Sequence, residues 1–383
     1  MSKKTLIVAL VLYLVIAGAS FAVFSFVFKT KTAVIQPPSP KVTTNGTQFD
    51  QTLPKTEACP LNGVLYSTQQ RNWWEQHRPL AVMIENHVDA RPQSGISKAD
   101  VVYEAIAEGG ITRTMDVFYC QDASEIAPIR SARTYFIDYA SEYGDKPLYA
   151  HVGGANAAGP ADALGQLDQY GWSGVNDLNQ FSIGFPTFYR NYNRLDHTVA
   201  TEHTMESSTT KLWDFAAKDR GLTNVDKQGT SWNTKFVQYS FKDDQPTPNG
   251  TQTIHLSFWG DPDYAVDWIY DSATNTYKRN NGGQPHMDLL THQQLAAKNV
   301  VVLLEKELNA DDGYANNEHL LYGDTGTGKA LVFMDGKETM ATWKKASRTA
   351  RTLLYDQQGN PIKFDRGQIW FTIYPADKDV VVK

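Results

Sequence analysis

A chain of 383 residues with 41% hydrophobic and 20% charged residues has a globular composition, which excludes a wholly disordered protein. Its net charge of -6 leaves no basic excess, so no nucleic-acid partner is expected, because phosphate binding leans on clustered Lys and Arg. Two cysteines, Cys59 and Cys120, are too few for a cysteine-based zinc site; in an oxidising compartment they either close one disulfide or stay as two thiols.

Lys3 and Lys4 precede a charge-free, strongly apolar run over residues 5–28. About 20 such residues span a bilayer as a helix, whose backbone satisfies itself where no water reaches. Residues 1–28 are therefore expected to form one uncleaved transmembrane helix, with the bulk of the chain extracytoplasmic at the cell membrane. A cleaved signal peptide, with Ala17-Gly18-Ala19 as its small-residue site, is the alternative and exports the chain equally. A lipid anchor is not expected, since no cysteine precedes Cys59. Residues 29–78, with Gln36-Pro37-Pro38-Ser39-Pro40, read as an extracytoplasmic linker. Asn45-Gly46-Thr47 and Asn249-Gly250-Thr251 fit the glycan-acceptor pattern but read as turns.

Residues 79–220 read as an α/β (α+β) domain. Residues 80–84 form a short apolar run ending in polar Glu85-Asn86-His87, a buried strand feeding a loop. Residues 99–105 fit strand or helix and are broken by Gly109-Gly110. Residues 114–119 alternate as a strand, 131–143 have helical spacing, and 148–152 form another strand ending at Gly153-Gly154. A closing helix is expected over 204–218. Past the polar stretch 219–230 the pattern changes, and residues 231–377 read as a mostly β domain punctuated by Asn281-Gly282, Asp335-Gly336 and Gln358-Gly359-Asn360.

Gly323-Asp-Thr-Gly326-Thr-Gly328-Lys329-Ala330 nearly matches the phosphate-binding P-loop. Ala330 stands where a hydroxyl would hold magnesium, and a strand pattern follows where a helix should open. A hairpin, and no nucleotide, is expected.

The polar residues of 85–133 gather at strand ends and beside Gly109-Gly110, where loops place polar groups in clefts. Arg130-Ser131-Ala132-Arg133 opens a predicted helix, and guanidinium groups beside a helix N-terminus favour anions. The candidate ligand-binding residues are Asn86, Arg91, Glu104, Glu108, Arg113, Arg130, Ser131, Arg133, His151 and His203. Arg113, Arg130 and Arg133 are expected to converge with Asn86, Glu104 and Glu108, with His151 on the rim. The opposing expectation is an internal network in which Asp100, Glu104 and Glu108 brace the arginines. Glu85, Glu104 and Glu108 are the catalytic candidates for a glycan hydrolase, which needs two carboxylates about 5–10 Å apart. His151, His197 and His203 match no zinc spacing such as HExxH, so no metal and no cofactor is expected. Ser131 and His151 lack the Gly-x-Ser-x-Gly elbow of a serine hydrolase.

Leu80-Ala-Val-Met-Ile-Glu-Asn86, Arg91-Pro-Gln-Ser-Gly95, Ala99-Asp100, Tyr103-Glu104, Glu108-Gly-Gly-Ile-Thr-Arg113 and Pro128-Ile-Arg-Ser-Ala-Arg133 follow one another in order. His151-Val-Gly-Gly154, His203-Thr, Tyr277-Lys-Arg279, Gly283-Gln-Pro-His286-Met-Asp288 and Thr342-Trp-Lys-Lys345 continue the series. This series, covering most of residues 79–375, resembles the YerB-like family of bacterial envelope lipoproteins, with the N- and C-terminal parts of domain of unknown function 3048. The resemblance implies location and a two-domain order, not a reaction. The family's usual lipid-bearing cysteine is missing, and the apolar run takes its place. The expected function is that of a membrane-anchored envelope protein binding a cell-wall component or an envelope partner through an Arg/carboxylate cleft in the first domain.

Overall fold

Apolar runs bounded by glycine and asparagine turns become the strands of one ten-stranded sheet. The structure, a computed structural model, describes Lys4 and residues 49–250, 252–313 and 319–383. The expected transmembrane run lies outside the described residues, among which no helix is long and apolar enough to cross a membrane.

Numbered along the chain, the sheet strands are β1 Leu80–Glu85, β2 Val101–Glu108, β3 Ile111–Phe118, β4 Leu148–His151, β5 Asp177–Asn179, β6 Asn299–Glu305, β7 Gly326–Met334, β8 Lys337–Lys345, β9 Leu353–Asp356 and β10 Ile369–Pro375. Their order is β9-β8-β7-β6-β10-β2-β3-β1-β4-β5. The first part of the chain is mixed α/β and the second strand-rich, as expected, and both build the same sheet. β10 lies between β6 and β2, parallel to both, with Ile369 opposite Asn299 on one side and Val101 on the other. β1 and β10 are buried at every position, which is why they read as continuous apolar runs rather than alternations. The ambiguous run 99–105 is strand from Val101 onward because β10 and β3 flank it. Gly109 and Gly110 both take positive φ in the β2–β3 turn, as a two-residue hairpin requires. The P-loop-like segment runs into β7 from Gly326, and β7 is paired along its length with β8.

A second sheet, including Thr253–Leu256, Val266–Asp271 and Thr276–Asn281, packs on the first. The Trp268 and Trp370 rings meet edge to face at 5.1 Å.

Residues 55–78 are not linker. They form strands Lys55–Ala58 and Leu65–Ser67 and the helix α1 Thr68–Trp74, N-capped by Ser67, whose Oγ accepts from the Gln70 N–H at 3.3 Å. Cys59 and Cys120 are bonded, and Leu61 and Trp74 are buried in the common core. The strands pair with each other but are too short to show a period, and the Cys59–Cys120 bond that ties them to the core is remote in sequence. The helix expected over 131–143 shrinks to α2 Thr134–Ala140, with Arg133 still extended. That expected over 204–218 starts later, as α3 Thr209–Phe215, because Ser208 caps it through the Lys211 N–H.

Candidate functional site

β1, β4 and β5 are parallel neighbours, so Glu85, His151 and Asn179 lie together at their C-terminal ends. Ligands of open α/β sheets bind in this position. The loops leaving those ends enclose an open cleft of about 550 Å³, lined by Arg130, Ser131, Val152, Gly153, Gly154, Asn156, Leu164, Phe181, Arg190, Thr201, Glu202 and Met205.

The backbone of Arg130 stitches β1 to the turn after β4: its N–H donates to Met83 O (2.9 Å) and its carbonyl accepts from the Val152 N–H (3.0 Å). Its Nε lies 3.2 Å from Glu85 Oε1, and among the described residues its terminal nitrogens have no partner. Gly153 has φ +59, and a Cβ there would come within 3.0 Å of the Phe181 ring. Phe181, 74% exposed, forms an apolar wall beside these glycines. Arg190 donates to Thr201 O at 2.5 Å, tying that side of the cleft.

The expected convergence of three arginines divides. Arg113 and Arg133 turn away from the ligand position and share Glu108: Arg113 Nη2 is 2.7 Å from Glu108 Oε1, and Arg133 pairs with the other oxygen. Their remaining bonds go to the Ser131 and Ala132 carbonyls, at 3.0 and 2.7 Å. Burial would raise the Glu108 pKa, but the two guanidinium groups override it and hold it near 2. Glu108 is thus an ionised brace and cannot serve as a general acid near neutral pH. No anion site forms at the start of α2, a helix of seven residues whose preceding Arg133 is consumed. His151 is not on the rim. It is fully buried, with Nδ1 2.6 Å from Gly153 O and Nε2 2.6 Å from Asp177 Oδ1, and so shapes the glycine turn from beneath. Glu85 pairs with Arg130 and accepts from His203 Nδ1 at 2.8 Å, which raises the His203 pKa.

Asn86, Arg91 and Glu104 belong to a different, buried network. Arg91 donates to the Asn86 side chain and carbonyl, both at 3.0 Å, and to Asp263 O at 2.9 Å. Glu104 accepts from Thr112 (3.0 Å), Arg279 (2.6 Å) and the Trp370 indole (3.1 Å).

The order of these elements matches two family descriptions: "Protein of unknown function (DUF3048) N-terminal domain" over residues 65–223 and its C-terminal domain over residues 254–371. The chain belongs to the DUF3048 family. A relative from Bacillus subtilis (strain 168), named "Putative lipoprotein YerB", is 27% identical over 326 residues, covering 83% of this chain and 86% of the relative. The crystal structure of the YerB protein from Bacillus subtilis has the same fold, with a TM-score of 0.68 at 23% identity over 86% of this chain and all of that one.

Within this DUF3048 chain, much of the motif series joins the two family parts. Arg279 lies 4.6 Å from the Trp370 ring centre and 5.3 Å from that of Trp268. Its Nε donates to His286 Nδ1 (3.0 Å), so His286 Nε2 carries the proton and donates to Gln93 Oε1 (2.7 Å). Burial, with Arg279 and Arg91 adding to it, holds the His286 pKa well below its usual value. Gln93 in turn donates to Asn86 Oδ1 (2.8 Å), and Asp288 accepts the backbone N–H of Gly95 and Ser97. Sequence reasoning missed Gln93, Arg279, His286 and Trp370 as one network. The available signal was Arg279 alternating with Tyr277 and Asn281 on one side of a β-patterned segment.

Proposed function

We propose that the protein is a membrane-held, extracytoplasmic envelope protein that binds an anionic cell-wall component in the cleft off β1, β4 and β5, with Arg130 as its anchor. The observation that carries this reading is the unspent guanidinium of Arg130: among the described residues, Arg91, Arg113 and Arg133 all spend terminal nitrogens on protein acceptors. A planar fork of this kind suits carboxylate or phosphate groups, which wall peptides and anionic wall polymers carry. Ser131, Asn156 and the Phe181 ring supply hydrogen bonds and an apolar wall around it. The envelope setting draws support from the relative's name, and the tether is proposed to be the apolar helix of residues 5–28.

The glycan-hydrolase reading has little support here, because Glu85, Glu104 and Glu108 are each paired with an arginine. The test is calorimetric titration of the full-length chain in detergent with purified wall peptides and with an anionic wall polymer. Saturable binding to one of them is expected, and Arg130→Ala is expected to abolish it without lowering the thermal midpoint appreciably. Binding that survives this substitution, or no binding to either ligand, overturns the proposal.

A further inference from the structure

His87 leaves the end of β1 and caps the short turn Val88–Ala90, while His203 lies in the turn Thr201–Thr204. Arg194 clamps these turns together, donating to Ala90 O (2.7 Å), Pro92 O (2.5 Å) and His203 O (3.5 Å). The two imidazoles lie face to face, 5.0 Å between centres and 15° between planes. One ligand atom from each of His87, Asp89 and His203 lies within 4.8 Å of the other two.

The protonation pattern favours a cation over a fourth protein partner. Glu85 accepts from His203 Nδ1, which fixes the proton there and leaves Nε2 with a bare lone pair and no hydrogen bond among the described residues. A carboxylate behind a histidine is the outer arrangement that orients metal-binding imidazoles and raises their basicity. Arg130 holds Glu85 from the far side, 3.2 Å away, so this carboxylate stays fixed. His87 Nδ1 takes the Asp89 N–H at 3.2 Å, a bond that a metal ion on this nitrogen would displace, and lies 3.7 Å from the Asp89 carboxylate. That carboxylate is 66% exposed.

We propose that His87, Asp89 and His203 bind a divalent transition-metal ion of the zinc class. Two imidazoles and one carboxylate select such an ion over calcium or magnesium, which prefer all-oxygen sites. Three protein donors leave a coordination position for water or an external ligand. The site needs none of the Arg130 guanidinium's terminal nitrogens, so zinc binding does not require the proposed anion binding.

The experiment uses the untagged full-length chain in detergent, stripped with a chelator and titrated with zinc chloride by calorimetry and thermal shift. One saturable zinc per chain is expected, with calcium producing no matching signal. His87→Ala should weaken zinc binding at least tenfold, and His203→Ala likewise. Glu85→Gln should weaken it by about tenfold or more with the stoichiometry unchanged. His197→Ala, at an exposed histidine, should leave it unaltered. His203 is buried, so if its variant does not fold, His87→Ala decides alone. No saturable zinc uptake, or uptake that His87→Ala leaves intact, overturns the proposal.

Discussion

The side chain of Arg130 is 27% exposed and that of Arg113 is 3% exposed, and this difference separates two roles that look alike in sequence. Removing Arg113 leaves Glu108 short of one of two guanidinium partners. Arg113→Ala should cost roughly 3 kcal/mol, the low end for breaking a buried pair because Arg133 remains. Arg130→Ala should cost about 1 kcal/mol or less, and denaturant unfolding distinguishes the two. Asp116 gives a pH test. It is fully buried, neither carboxylate oxygen has a hydrogen-bond partner among the described residues, and burial pushes its pKa to about 8. Between the ordinary carboxylate range and pH 8 the folded state therefore holds a proton that the unfolded state has lost. Stability should fall as pH rises through that window, and Asp116→Asn should flatten the slope of unfolding free energy against pH. The residue types of the polar region were legible in the sequence, but their partners were not. Arg113, Arg130 and Arg133 share composition and neighbourhood, and only the direction of each side chain decides that two brace Glu108 and one lines a cleft. His87 was passed over because its partner His203 is remote in the chain.

β1 and β4 were legible because a short apolar run between turn residues has one reading when strands cover both edges, and β3 was legible from the alternation over 114–119. The helices were legible in place but not in length: Arg133 stays extended, and Ser208 caps a start several residues later than the spacing suggests. Residues 55–78 were misread as linker because short strands carry no period and their stabilisation comes from remote contacts. The Cys59–Cys120 bond, spanning 61 positions, ties this segment to the end of β3. A Cys59→Ala, Cys120→Ala double variant should lose roughly 2–4 kcal/mol by denaturant unfolding, and a reducing agent should bring the parent down to match. An unchanged midpoint in both cases would show that the hairpin and α1 hold by packing alone.

The family parts are separable in sequence, yet β10 closes the middle of their common sheet. A fragment ending near residue 230 would expose the long apolar edge of β2, where Val101, Val102 and Tyr103 now pair with Ile369, Trp370 and Phe371. Such a fragment should aggregate or be cleaved rapidly in limited proteolysis, while the full-length chain resists; a soluble, cooperatively unfolding fragment would refute this. The pattern change near 219–230 was legible, but a shared sheet was not, because pairing between remote strands leaves no local signature. Time adds a further consequence. A chain that leaves the ribosome from its N-terminus delivers Ile369–Pro375 after every other strand of the ten-stranded sheet. Until that strand arrives, the half-sheets on either side wait with raw, sticky borders. Maturation should therefore lag synthesis, as expected where contacts join distant parts of a chain.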